Sequence, residues 1–332
     1  MKRKSVCGLS LFLNRNMNYI IFDLEWNQCP YGKARENKKL PFEIIEIGAV
    51  KLNQDLAVTD SLHLLVRPKI YRSLHFRTRE VVQMREADLY NKGIPFPEAA
   101  HRFLTWAGGD SVFCTWGESD LAELQRNLKF YNMLGQLPGP LQFYDVQKLY
   151  AIAYDPEHER RSLEYAIDSL LIEKHREFHS ALSDAWYTTA VMQRIDDKTI
   201  RENISIDVYQ NPKKKTDEIY MVYADHSLFI SREFPNKEEL MRDSEIRAVH
   251  CCFCGKRTHR KIQWFSAGTK RSECLAVCAA HGQLSGEVRI RHSDSGGVYG
   301  IKTVRAAELQ EEEELLERKR VLREKRRKKR QN

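Results

Sequence analysis

Five apolar runs of strand type punctuate the first 145 residues of the chain, at 19–25, 43–50, 62–66, 111–115 and 141–144. Each is rich in Ile, Val, Phe or Leu and is bounded by polar or turn-forming residues, as expected of strands packed on a pleated surface. Short links join the first three, which predicts an antiparallel meander. The fourth follows helical patterns at 78–89 and 96–106, so it is expected to run parallel to the first. Helical spacing returns at 119–133, 162–170 and 181–195. Ser162 caps the second of these, and Leu182, Ala185, Thr189 and Met192 form the packing stripe of the third. Strands and helices alternating in this order predict an α/β fold with a mixed five-stranded sheet flanked by helices.

The pattern changes after residue 201. Residues 202–245 read as a connector carrying a strand pair at 219–230. Strand-like runs follow at 262–265, 287–290 and 298–304, and Asp294-Ser295-Gly296-Gly297 predicts a hairpin turn between the last two. Residues 306–332 form a charged helical tail, acidic over 308–317 and basic over 318–330, with too few apolar positions for a core. At the other end, residues 1–17 are expected to be a flexible extension. Met1-Lys2-Arg3-Lys4 and the short apolar run after it imitate a secretory signal without its cleavage site. No apolar run reaches the length of a membrane-spanning helix. The expected domains are 18–201, a small β module at 246–305, and the tail.

Composition sharpens this division. The 332 residues carry a net charge of +8 and an apolar fraction of 42%, ordinary for a globular protein. Residues 251–305 contain ten Lys/Arg against three Asp/Glu, whereas the first 250 residues sum to −2. A basic module beside a near-neutral one suits a polyanionic substrate, the alternative being a solubilising face or a contact with another acidic partner. Five of the eight cysteines fall between 251 and 278, which points to metal and to a reducing, cytoplasmic setting.

Candidate chemistry begins where the first strand ends. Asp23 and Glu25 are two apart, so an extended strand projects both from one face. Two such carboxylates repel unless a cation lies between them, and hard divalent ions take oxygen ligands of this kind. Further along lie Trp116-Gly117-Glu118-Ser119-Asp120 and His179-Ser180-Ala181-Leu182-Ser183-Asp184-Ala185. Asp23, Glu25, Asp120, His179 and Asp184 each sit at or near the end of an expected element, where the active sites of α/β sheets collect. No Walker-type loop or Gly-rich dinucleotide fingerprint appears.

These patterns (Asp-x-Glu, Trp-Gly-x-x-Asp and His-x-Ala-Leu-x-Asp-Ala) resemble, in order, those of the DEDDh 3′-5′ exonucleases of the DnaQ-like superfamily, over about residues 18–201. The resemblance implies a ribonuclease-H-like fold and metal-assisted phosphodiester hydrolysis with two Mg2+ or Mn2+. It assigns Asp23, Glu25, Asp120 and Asp184 as ligands, Asp23 as the bridge, and His179 as general base. His179 and Asp184 are five residues apart, about 140° around a helix, so His179 is expected on the loop before that helix, where it could close over substrate. Trp26 and Trp116 would either stack on a terminal base or belong to the core, with core favoured for Trp116. Glu46 is similar to a second-strand glutamate beside the terminal nucleotide; pairing with a nearby basic residue is the alternative. The implied substrate is a single-stranded nucleic-acid end, RNA in preference to DNA. The rivals are a DNA exonuclease of the same type, a nuclease fold that binds without cutting, and a zinc hydrolase working at the cysteines.

Cys251-Cys252-Phe253-Cys254-Gly255 resembles one knuckle of a zinc ribbon. Cys278 and His281, followed by Gly282, repeat its spacing. Cys251, Cys254, Cys278 and His281 are therefore the expected ligands of one structural Zn2+, with Cys274 in place of His281 as the alternative. Cys252 occupies the spacer of the knuckle. Such a closed set leaves no vacancy for a reacting water, which disfavours the zinc hydrolase.

Overall fold

A computed structural model of the protein describes residues 17–82, 85–308 and 310–331. The expected extension at 1–17 lies outside the described residues except for Met17. The chain divides into two compact units between Gln210 and Asn211.

The first unit is built on β1 (Asn18–Gln28), β2 (Phe42–Leu52) and β3 (Val58–Arg67), an antiparallel meander. Then come α1 (Phe76–Val81), α2 (Glu86–Lys92), β4 (Ile94–Pro95), α3 (Phe96–Ala107), β5 (Ser111–Thr115), α4 (Ser119–Phe130) and β6 (Leu141–Asp145). The unit closes with α5 (Val146–Tyr154), α6 (Leu163–Ser169), α7 (Ala181–Met192), α8 (Asp197–Glu202) and β7 (Ser205–Asp207). The sheet order is β4-β3-β2-β1-β5-β6-β7, with β5 parallel to β1 as the intervening helices require. The five expected strands form its centre, and β4 and β7 add short edges. One face carries the main core. There Ile20, Phe22 and Leu24 of β1 meet Phe96, Ala100 and Phe103 of α3 and Leu121, Leu124 and Leu128 of α4. Helix α7 packs on the sheet at β1 and β2.

Two helical expectations differ from the outcome. The helix expected at 78–89 is two short ones, because Val82 adopts extended backbone and buries its side chain. Helix α5 was not expected. Asp145 both ends β6 and caps α5, its carboxylate accepting the Lys148 N–H at 3.0 Å, so no linker separates strand from helix.

The second unit is a six-stranded antiparallel sheet of order β10-β11-β12-β13-β9-β8. Its strands are β8 (Ile219–Val222), β9 (His226–Ile230), β10 (His259–Ser266), β11 (Arg271–Cys278), β12 (Gly282–His292) and β13 (Val298–Ala306). Short helices α9 (Lys237–Arg242) and α10 (Ser244–Arg247) lie between β9 and β10, and α11 (Glu311–Gln331) follows β13. The segment 202–245 is thus shared. Its first residues close the first sheet as β7, and the expected strand pair joins the second sheet through the β9–β13 ladder. The charged tail also has a docked portion. Leu315 of α11 is buried against Ile262 and Leu275, flanked by ion pairs of Lys261 with Glu312 and Arg318 with Glu273.

Candidate active site and metal centre

The alternation of β1 decides where the first carboxylates go. Ile20, Phe22 and Leu24 fill the core under α3 and α4, so Asp23 and Glu25 emerge on the opposite face. Across the strand pair Asp23 is opposite Gly48 and Glu25 is opposite Glu46. Gly48 lets α7 approach. A Cβ at that position would lie 2.0 Å from the Leu182 nitrogen and 2.1 Å from the Ala181 carbonyl carbon. The first turn of α7 therefore rests against the sheet, and Asp184 arrives beside Asp23 and Glu25. The register slips between Glu25 and Trp26, a bulge of the kind found next to functional sites.

Ligand oxygens of Asp23, Glu25 and Asp184 all lie within 4.8 Å of one another. Asp120, in the first turn of α4, is buried and accepts the Leu24 N–H at 3.0 Å. That bond ties the start of α4 to the strand between the two β1 carboxylates. Glu46 is almost fully buried. Its Oε1 is bonded to His63 Nε2 at 2.8 Å and accepts the Ser180 hydroxyl at 3.0 Å. Its Oε2 is buried without a hydrogen-bond partner, and so is Oδ1 of Asp184. Asp184 Oδ2 accepts the His179 N–H at 3.2 Å.

Burial and mutual repulsion raise the pKa of Asp23, Glu25, Asp120 and Asp184. Asp23 is held well above the usual carboxylate range, by burial first and then by Asp120, Glu25, Asp184 and Glu46. Burial, Glu46 and Asp184 push Glu25 to about 8. Burial takes Asp120 to about 7, against the pull of the Leu24 N–H. Asp184 is raised to about 6, also by burial, with the His179 N–H opposing. Crowded carboxylates with unsatisfied buried oxygens fit divalent cations, which would supply the missing partners and the missing charge.

His179 precedes α7 on a loop, exposed, with φ at 65°. Ser180 is the N-cap position, but its hydroxyl bonds Glu46 and makes no capping bond. Trp26 is half-buried, 5.9 Å from the Phe42 ring. Trp116 is half-buried too. It donates its indole N–H to the Arg161 carbonyl at 3.3 Å and meets Tyr150 at 5.9 Å, contacts that serve packing. Sequence reasoning passed over Gly48, His63 and Ser180. Only Gly48 carried a readable signal, a glycine inside an apolar strand.

In the second unit, ligand atoms of Cys251, Cys254, Cys278 and His281 lie within 4.8 Å of one another. Cys251 Sγ is 3.5 Å from His281 Nδ1, Cys254 Sγ is 3.7 Å from Cys278 Sγ, and Cys278 Sγ is 3.7 Å from His281 Nδ1. Tetrahedral zinc with sulfurs at about 2.3 Å spaces them ~3.8 Å apart, so the set fits that ion. Gly255 and Gly282 turn the chain after each pair with φ of 67° and 74°. Cys274 stands outside the cluster, four residues before Cys278 on β11, a separation of roughly 13 Å along a strand. Burial pushes its thiol up to about 12. Cys252 is buried and is also outside the four.

Residues 20–192 match the sequence profile of the RNase_T family, described as exonuclease. Among curated proteins, none matches the sequence. Several solved structures are similar. The nuclease domain of 3′hExo, described as a DEDDh family member bound to rAMP, is 19% identical with a TM-score of 0.49, covering 58% of this chain and 98% of that one. A full-length 3′-exonuclease is 19% identical with a TM-score of 0.48, covering 57% and 85%. Cell-death related nuclease 4 (CRN-4) is 15% identical with a TM-score of 0.46, covering 58% and 66%.

Proposed function

Because this chain belongs to the exonuclease family, a family of metal-dependent nucleases, we propose that it removes nucleotides from the 3′ end of single-stranded nucleic acid, with RNA preferred to DNA. The observation that carries this reading is the convergence of Asp23, Glu25 and Asp184 from two distant segments, with ligand oxygens within 4.8 Å. The preference for RNA rests on the Trp116-Gly117-x-x-Asp120 form of the second motif, which is similar to that of exonucleases trimming structured RNA ends.

Asp23, Glu25, Asp120 and Asp184 would hold two Mg2+ or Mn2+, with Asp23 shared between them. When bound, such ions activate water and offset the charge that builds on a phosphodiester in the transition state. His179 accepts the proton of the attacking water on its imidazole, the side chain most often used as a general base. Ser180 and Glu46 hold the chain beside it, and Trp26, which directly follows Glu25 and is half-buried against the main core, offers an aromatic surface for a terminal base. Cys251, Cys254, Cys278 and His281 hold one structural Zn2+, and the exposed Lys256, Arg257 and Lys270 of the same unit grip phosphates. The clustered free cysteines support a reducing, cytoplasmic setting.

The test is digestion of 5′-labelled and 3′-labelled RNA and DNA, single- and double-stranded, with Mg2+ or Mn2+ and an EDTA control. Laddering of 5′-labelled RNA, with immediate release of a 3′ label as mononucleotide, is expected. Retention without shortening would replace the exonuclease with a binder, and faster loss of DNA would reverse the substrate preference.

A further inference from the structure

We propose that Tyr187 is a positioning residue that sets where the His179 imidazole sits, acting through the backbone of residues 176–178. The inference rests on the assignment of His179 as proton acceptor. Tyr187 lies on α7, one turn beyond Asp184, and its side chain is buried. Its hydroxyl uses both of its hydrogen-bonding capacities on one residue. It accepts the Arg176 N–H at 2.8 Å and donates to the Arg176 carbonyl at 2.5 Å. Its ring stacks on Phe178, centroids 4.6 Å apart and planes at 18°. The Arg176 guanidinium lies over the neighbouring Trp186 ring at 4.9 Å. The segment leading to His179 is therefore fastened to α7 from the same helix that carries Asp184.

Downstream, the His179 N–H bonds Asp184 Oδ2 and the Ser180 hydroxyl bonds Glu46. His179 is thus held between two anchors, in a left-handed conformation that costs a non-glycine residue free energy. Released from Arg176, the three residues before His179 could span up to roughly 10 Å, ample to carry the imidazole away from the carboxylates. A buried tyrosine ring alone would serve packing. The paired bonds to a single loop residue are what packing does not need. The loop expected to close over substrate is by this reading set in place beforehand, which removes the cost of ordering it at each turnover.

Tyr187→Phe keeps the ring and removes both bonds. We expect the single-turnover rate with Mn2+ to fall on the order of tenfold with KM unchanged, since a misplacement near 1 Å costs up to ~100-fold. Amide hydrogen exchange in metal-free protein should accelerate at 174–180 and stay unchanged in β1, β2 and α4. In a His179→Ala background, measured with excess enzyme, Tyr187→Phe should cause no further loss, because the group it positions is gone. A wild-type rate for Tyr187→Phe, unaltered exchange at 174–180, or an equal loss in both backgrounds would overturn the inference. A wild-type rate for His179→Ala would remove the proton acceptor itself, and the inference with it, without any change at Tyr187.

Discussion

The two ligand clusters of this protein are assembled by opposite logic. The carboxylate set, with Glu46, draws on four separated segments and leaves oxygens over, with Asp184 Oδ1 and Glu46 Oε2 buried and unbonded. The cysteine set draws on two short knuckles and has four ligands, the number a tetrahedral ion needs. A cluster with surplus acceptors and raised pKa values resists folding without cations and keeps coordination positions for substrate. A closed cluster returns its binding energy to the fold around it. On our proposal the first serves chemistry and the second serves as a staple.

That contrast breaks first at Asp23. Asp23→Asn should lower cleavage by 10³-fold or more, roughly the ~4 kcal/mol or more expected when a shared charge-stabilising ligand is lost. The same change should raise the melting temperature of metal-free protein, since a buried repelling carboxylate disappears. Gel assays and calorimetry on one preparation measure both. Cys254→Ser should do the reverse. It should abolish bound zinc and expose the second unit to limited proteolysis, while cleavage of a short oligonucleotide stays within about threefold of wild type.

Gly48→Ala probes how the chemical site is assembled. The added methyl meets α7 backbone at 2.0 Å, so the helix must shift. Cleavage should fall by up to ~100-fold and stability by roughly 1–3 kcal/mol, read from rates and urea titration. A smaller effect is expected from pH. Glu25, Asp120 and Asp184 titrate near 8, 7 and 6 in the folded chain, above their unfolded values near 4. The folded metal-free protein therefore binds more protons than the unfolded chain between about pH 4 and 8, and its stability should decline as pH rises through that window. Urea titrations at successive pH values check this. Glu25→Gln should flatten the decline above pH 7, and saturating Mg2+ should abolish it. Smallest of all, Cys274→Ser should leave one zinc per chain by metal analysis and cost only ~1–2 kcal/mol, for a polar atom placed in a buried apolar slot.

Much of the first unit was legible because its strands are short apolar runs bounded by turn residues, and their period and connection lengths leave few topologies. The loop position of His179 followed from helical geometry once the resemblance had assigned both His179 and Asp184 to the site, since five residues along a helix cannot bring both to one face. Helix α5 escaped notice because Asp145 serves two elements at once. The docking of α11 escaped because a single apolar side chain, Leu315, suffices when ion pairs flank it. Strand β11 went unread, its cysteines drawing attention as ligands, and with it went the means of choosing between Cys274 and His281.

The sequence by itself determined which groups were present for chemistry and the local element that carries each, because residue type and near-neighbour spacing are written along the chain. Only the tertiary structure decided which of those groups meet. The approach of α7 to Gly48, the bond from Leu24 to Asp120, the link from Glu46 to Ser180 and the choice of His281 over Cys274 all join residues far apart in sequence or facing in directions that spacing does not reveal. Such contacts depend on the packing of whole elements against one another, and no local period encodes that.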